Sequence, residues 1–163
     1  MIATTESWEA RLAAHWQELD AQEPEAFISG LQLLLAELPA NSPIARFELG
    51  SAHDSTGNTE QAVRLYEAAL QAGLSGPRRR RAVIQLASSL RSLGEPVRSV
   101  ALLTAELEGV EDALTPAVRA FLALSLADIG REREALAIAL TALSGYLPRY
   151  NRSLARYARQ LAE

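Results

Sequence analysis

Apolar residues return along the chain at spacings of three and four: Leu12, Trp16 and Leu19; Phe27, Leu31, Leu34 and Leu38; Leu86, Leu90 and Leu93; Leu136, Leu140 and Leu143. That is the period of a helix with one buried stripe. No stretch shows the period-two alternation of a half-buried strand. Pro24, Pro39/Pro43, Gly57, Gly73/Gly76-Pro77, Gly94-Glu95-Pro96, Pro116, Gly130 and Gly145/Pro148 divide the sequence into pieces of about 12 to 16 residues. The pattern predicts about nine helices in antiparallel pairs, with no linker long enough to separate a pair of domains. Composition points the same way, since Ala and Leu dominate and all 16 basic residues are Arg, strong helix formers.

Alignment on the glycines exposes a repeat. Its strongest copy is Leu49-Gly50-x-x-His53, Gly57, Ala62-x-x-x-Tyr66, Ala69-Leu70. A second reads Leu86-Ala87-x-x-Leu90, Gly94, Ser99-x-x-x-Leu103, Leu107, and a third Leu122-Ala123-x-x-Leu126, Gly130, Ala135-x-x-x-Ala139, Ala142-Leu143. Small residues at these points let crossing helices approach, and the bulky ones fill the space between hairpins. Ser99 and Glu106 depart from the small, apolar pattern. On these residues the chain resembles a tetratricopeptide-repeat (TPR) protein, whose signature pairs L-G-x-x-Y with A-x-x-x-F at a 34-residue period. The segments AHDSTGNTEQAVRLYEAAL, RRRRAVIQLASSLRSLG, VRAFLALSLADIGREREAL and LPRYNRSLARYA are similar to those of a family of small bacterial single-domain TPR proteins with no assigned biochemical function.

The resemblance implies an all-α, right-handed α-α superhelix in a single domain over 1–163. It comprises a degenerate repeat at 7–40, clear repeats at 43–76, 80–113 and 116–147, and a capping helix at 148–162. It also implies that the first helix of each pair lines a concave groove. Read that way, the groove carries Trp8, Arg11, His15, Phe47, Ser51, Asp54, Arg81, Ile84, Gln85, Ser88 and Arg91. The fourth stripe, Ala117, Ala120, Leu124 and Asp128, is nearly apolar, so either the C-terminal helix folds over it or a partner does. In the last helix, Leu154, Tyr157 and Leu161 are expected to cover the final hairpin, with Arg149, Arg152, Arg156 and Arg159 solvated. The clamp by which some TPR proteins grip a chaperone's C-terminal carboxylate uses Lys and Asn, and this chain has no Lys.

Charge is uneven. Residues 1–76 hold 3 Arg and 11 acids, a net of -8; residues 77–163 hold 13 Arg and 9 acids, a net of +4, giving -4 in all. Such a chain could associate head to tail or draw an acidic peptide to its C-terminal half. Arg78–Arg81 is either a solvated corner or a contact for an acidic partner, with Arg81 the best placed. An acidic chain is a poor nucleic-acid binder.

No Cys and only His15 and His53 leave little for metal or thiol chemistry. His53 holds a repeat position usually given to Tyr, and contiguous Ser51, His53 and Asp54 on one helix cannot form a triad, because neighbours point about 100° apart. The expected function is therefore a non-catalytic, cofactor-free adaptor that binds a protein or peptide in the groove, acidic peptides among the candidates. The alternative is a self-assembling homodimer whose groove or fourth stripe takes a second copy. With no targeting pattern at MIATTESWEARL and no long apolar run, the expected location is the cytoplasm, with no membrane or nucleic-acid partner.

Overall fold

In a computed structural model, residues 3–162 are described, with side chains from Trp8 onward. Met1, Ile2 and Glu163 of the expected domain lie outside these residues. Among the described residues nine α-helices follow one another: α1 (Ala3–Gln17), α2 (Pro24–Leu35), α3 (Pro43–Ser55), α4 (Thr59–Gln71), α5 (Gly76–Ser92), α6 (Pro96–Leu107), α7 (Thr115–Asp128), α8 (Glu132–Ser144) and α9 (Asn151–Leu161). A single 3-10 turn, Leu19–Ala21, joins α1 to α2, and the described residues contain no strand. The chain forms two compact units, Met1–Arg78 and Arg79–Glu163, divided within α5.

Proline opens α2, α3, α6 and α7 at the first or second helical position, where its missing N–H has no intrahelical acceptor to lose. The three repeat glycines close the first helix of each hairpin in the left-handed region, Gly57 at φ 87°, Gly94 at 81° and Gly130 at 78°. In each case the next residue's N–H reaches back to a carbonyl five positions earlier: Asn58 to His53 at 2.8 Å, Glu95 to Leu90 at 2.9 Å and Arg131 to Leu126 at 2.9 Å. One hydrogen-bonded turn is thus built three times, and it satisfies carbonyls that a helix end would leave bare.

In the first unit α1 packs on α2, α2 on α3 and α3 on α4. Trp8, Leu12, Phe27, Leu31, Leu35 and Ala52 form its core. Gly50 and Ala62 mark the crossing of α3 with α4, where Tyr66 is fully buried. A Cβ placed on Gly50 would stand only 3.0 Å from the Tyr66 ring. In the second unit α6 packs on α7, α7 on α8 and α8 on α9. Its core gathers Ile84 and Ala87 from α5, Leu103 from α6, Val118, Leu122, Ala123 and Leu126 from α7, and Ala135 from α8.

Both departures from the repeat pattern are resolved by polar partners. Ser99, fully buried, meets Ser125 of α7 with 2.8 Å between hydroxyls, and Ser125 donates in turn to the Phe121 carbonyl at 3.0 Å. Glu106 is also buried, and it is paired with arginines of α5. Each polar group therefore enters the core with its hydrogen bonds made, so neither leaves an orphaned group.

Because Ala62 is fully buried where two helices cross, Ala62→Leu should destabilise the protein by about 1 to 3 kcal/mol through overpacking. A urea midpoint equal to that of the wild type would show that the crossing has room to spare.

Candidate functional site

Several residues assigned to the groove are core. Trp8 is buried, its Nε1–H donating to the Leu34 carbonyl at 2.9 Å. Phe47 is fully buried, with its ring 6.2 Å from that of Tyr66, and Ser51 is buried beside it on α3. Ile84 sits in the core of the second unit. These side chains have almost no surface to give a ligand. An apolar residue at helical spacing reads alike whether it faces a groove or the next hairpin, which is why the pattern misassigned them.

The polar members lie at or near the surface, mostly engaged inside the fold. Arg11 forms a bidentate pair with Glu37 at 2.6 and 2.7 Å, which raises the guanidinium's pKa and lowers that of the carboxyl. Half-buried His15 stacks on Phe27 at 4.5 Å and donates from Nε2 to the Phe27 carbonyl at 2.9 Å. It also fills the space over Gly30, where an added Cβ would stand 2.7 Å from its ring. Asp54 accepts from the Tyr66 hydroxyl at 3.3 Å. Arg91 pairs with Asp128 at 2.6 Å. Gln85 and Ser88 are half-buried on α5, and Arg81 is exposed.

The four-arginine run is largely neutralised from within. Arg78 bridges Glu9 and buried Glu48, each at 2.7 Å, and Glu48 also accepts from the Trp16 indole at 2.9 Å. The hydrogen bonds to Glu9 and Glu48 push the Arg78 pKa well above its ordinary value. Arg79 and buried Arg80 reach Glu106 at 2.8 and 3.3 Å, and Arg80 continues to Asp112 at 3.1 Å and the Thr115 hydroxyl at 3.0 Å. These partners lie between 26 and 69 residues away in sequence, so no local pattern could show them.

The surface without cover is elsewhere. Between α7 and α8 runs an open apolar groove of about 780 Å³. Its floor is alanine (Ala120, Ala123, Ala135, Ala139), and its walls are Leu124, Leu136, Leu143 and Tyr146, which are 47, 50, 48 and 68% exposed. The expectation that the C-terminal helix folds over this stripe is corrected. Helix α9 lies along another side of α8, with a gap of about 160 Å³ lined by Leu107, Ala137, Ile138, Thr141 and Ala158. There Ala158 is fully buried, Leu154 and Leu161 are half-buried, and Tyr157, expected to join them, is 54% exposed. Only Leu124 of the groove's large residues was in the expected stripe. The others belong to the second helix and its exit, and they were signalled by Leu136 and Leu143 standing next to the small packing residues Ala135 and Ala142. That apolar arc is too wide for one buried face.

Among the described residues no group of His, Asp or Glu is arranged to hold a metal ion, and no helix is long and apolar enough to cross a membrane. A family model described as Tetratrico peptide repeat matches residues 43–161. The chain belongs to the tetratricopeptide-repeat family. No curated protein and no solved structure matches it. TPR proteins generally serve protein–protein interaction and are typically non-catalytic. The match spans the three clear repeats and α9.

His53 takes the place of the TPR tyrosine, and its Nδ1 is buried with no hydrogen-bond partner among the described residues. Burial lowers its pKa below 6.5. The unfolded chain therefore takes up a proton that the folded chain resists, and stability present above pH 6.5 is lost as pH falls through that value toward the lower folded one. Between pH 7 and pH 5 the urea midpoint of the wild type should fall more steeply than that of His53→Gln; parallel curves would remove His53 as the cause. Glu106→Ala removes the shared carboxylate of Arg79 and Arg80, while Arg80 keeps Asp112 and Thr115, and should cost about 1 to 3 kcal/mol, read as a lowered melting temperature. A change under about 1 kcal/mol, as for an ordinary surface pair, would contradict the buried network.

Proposed function

We propose that this TPR protein is a non-catalytic interaction adaptor that holds an amphipathic helix of a partner protein in the groove between α7 and α8. The observation that carries the reading is that Leu124, Leu136, Leu143 and Tyr146 stand about half-exposed along one alanine-floored face. Contiguous apolar surface of this kind on a soluble domain marks a docking site. The small floor specifies the occupant, because bulky side chains at i, i+3 or i+4 and i+7 fill the space above alanines while the Leu walls grip the helix flanks. One acidic residue, Glu132, lines the groove, so the matching end of the partner helix is basic. The groove moves the binding surface away from the first-helix stripes of the other repeats, where Trp8, Phe47, Ser51 and Ile84 are core.

Selection from a random peptide library on the immobilised protein tests this. Enriched peptides should carry three bulky apolar residues at helical spacing, and their binding should fall by more than about tenfold in Leu124→Asp or Leu143→Asp, with the circular dichroism unchanged. Peptides that bind the wild type and both variants equally would remove the groove as the site. A dimer that disappears in Leu124→Asp would give the groove to a second copy and overturn the partner-helix reading.

A further inference from the structure

Most arginines outside α9 meet a partner within their own unit, as do Arg11, Arg78, Arg79, Arg80, Arg91, Arg98, Arg119 and Arg131 with carboxylates. The final stretch is different. Residues 135–162 contain Arg149, Arg152, Arg156 and Arg159 and no Asp or Glu. All four are exposed, and none has a carboxylate partner among the described residues. On α9, Arg152, Arg156 and Arg159 are spaced i, i+4 and i+7, which confines them to an arc of about 60° and a length of about 10 Å. Arg156 is steadied there, its guanidinium 4.9 Å from the centre of the Tyr157 ring and its Nη2 donating to the Tyr157 hydroxyl at 3.1 Å. The opposite face, with Ala158 fully buried, is used against α8.

The first unit carries the counterpart. Glu18, Asp20, Glu23 and Glu25 fall within the 3-10 turn region and the start of α2, in a stretch from Leu12 to Ala45 that has no Arg. All four are exposed and have no ion-pair partner among the described residues. One molecule thus presents two unlike, uncompensated patches, each holding four charges.

We infer that the arginine stripe of α9 docks on the acidic 18–25 patch of a second copy of this chain. Because the contact joins two unlike surfaces, it serves equally a reciprocal pair, in which each copy's stripe docks on the other's acidic patch, and a series passed from copy to copy. It is independent of the α7–α8 groove. A nucleic acid fits less well, because its evenly charged backbone meets a chain of net charge -4. A membrane gains no insertion from α9, whose apolar face is already packed.

Sedimentation velocity on the whole protein tests the inference. The wild type should associate at about 10 mM salt, where the Debye length is about 30 Å, and dissociate at about 1 M, where it is about 3 Å. Arg152→Gln/Arg156→Gln/Arg159→Gln and, separately, Glu18→Gln/Asp20→Asn/Glu23→Gln/Glu25→Gln should each remain monomeric at low salt, their association constants lowered at least about tenfold. Mixing the two variants restores one intact patch of each kind, so a 1:1 pair should form and grow no further. Leu124→Asp, which leaves both patches intact, should associate as the wild type does, which separates this contact from the groove. A wild type that stays monomeric at low salt overturns the proposal. So does association that survives 1 M salt, or retention of RNA or anionic vesicles by the arginine stripe without self-association.

Discussion

The fold depends on how closely two helix backbones come together at recurring points. Where α3 crosses α4, Gly50 lies against the Tyr66 ring, 3.0 Å from where a Cβ would stand, and Ala62 and Ala69 are fully buried on the opposing helix. The same positions in the later hairpins hold Ala87 and Ser99, then Ala123 and Ala135, all buried. Small residues at the crossing bring the larger ones beside them into contact, so Tyr66 and Leu103 become fully buried. Reversal of the chain is the second condition. Gly57, Gly94 and Gly130, left-handed and each followed by the same return hydrogen bond, bring the second helix of each hairpin back against the first.

Given that packing, the polar side chains that enter the core of the second unit do so in paired groups. The second hairpin of the clear repeats departs most from the pattern, and there Glu106 binds Arg79 and Arg80 while Ser99 binds Ser125. The arginines that look like a basic cluster are thus drawn on by carboxylates, with Glu48 and Glu106 buried and Glu9 and Asp112 exposed, and positive charge at the start of α5 is offset where it would otherwise oppose the helix dipole. This internal pairing gives the remaining charges their meaning. The arginines of α9 and the carboxylates of 18–25 stand apart because each group gathers like charges in one short stretch that holds no residue of the opposite charge.

Helix existence, the repeat period, the turn glycines and the packing positions were legible in the sequence, because each follows from a local rule: a spacing, a left-handed turn, a small residue at a crossing. The surface was less legible. Phe47 and Ile84 fall in the apolar phase of their helices, as a groove residue would, and only the side chains packed against them decide that they are buried, Tyr66 of α4 for Phe47 and the residues of α6 to α8 for Ile84. The partners of Arg78 and Arg80, 26 to 69 residues distant, obey no short-range rule. Leu136 and Leu143 carried a signal, since α8 is apolar both on the arc that packs and on the arc beside it.

That second arc bears on why α9 leaves the groove open. Helix α8 offers two apolar sides, one ending in Ala137 and Thr141 with Ile138 between them, the other in Leu136, Leu143 and Tyr146. A terminal helix whose central inward residue is Ala158, flanked by Leu154 and Leu161, is matched to a small-residue surface it can approach closely. Against the leucine-walled side the same alanine would stand off the floor and leave a void, losing dispersion contacts. An occupant of the open groove therefore needs longer side chains than α9 has along its centre. The cap and the vacant face thus follow from one feature, the side-chain sizes that α8 displays around its circumference.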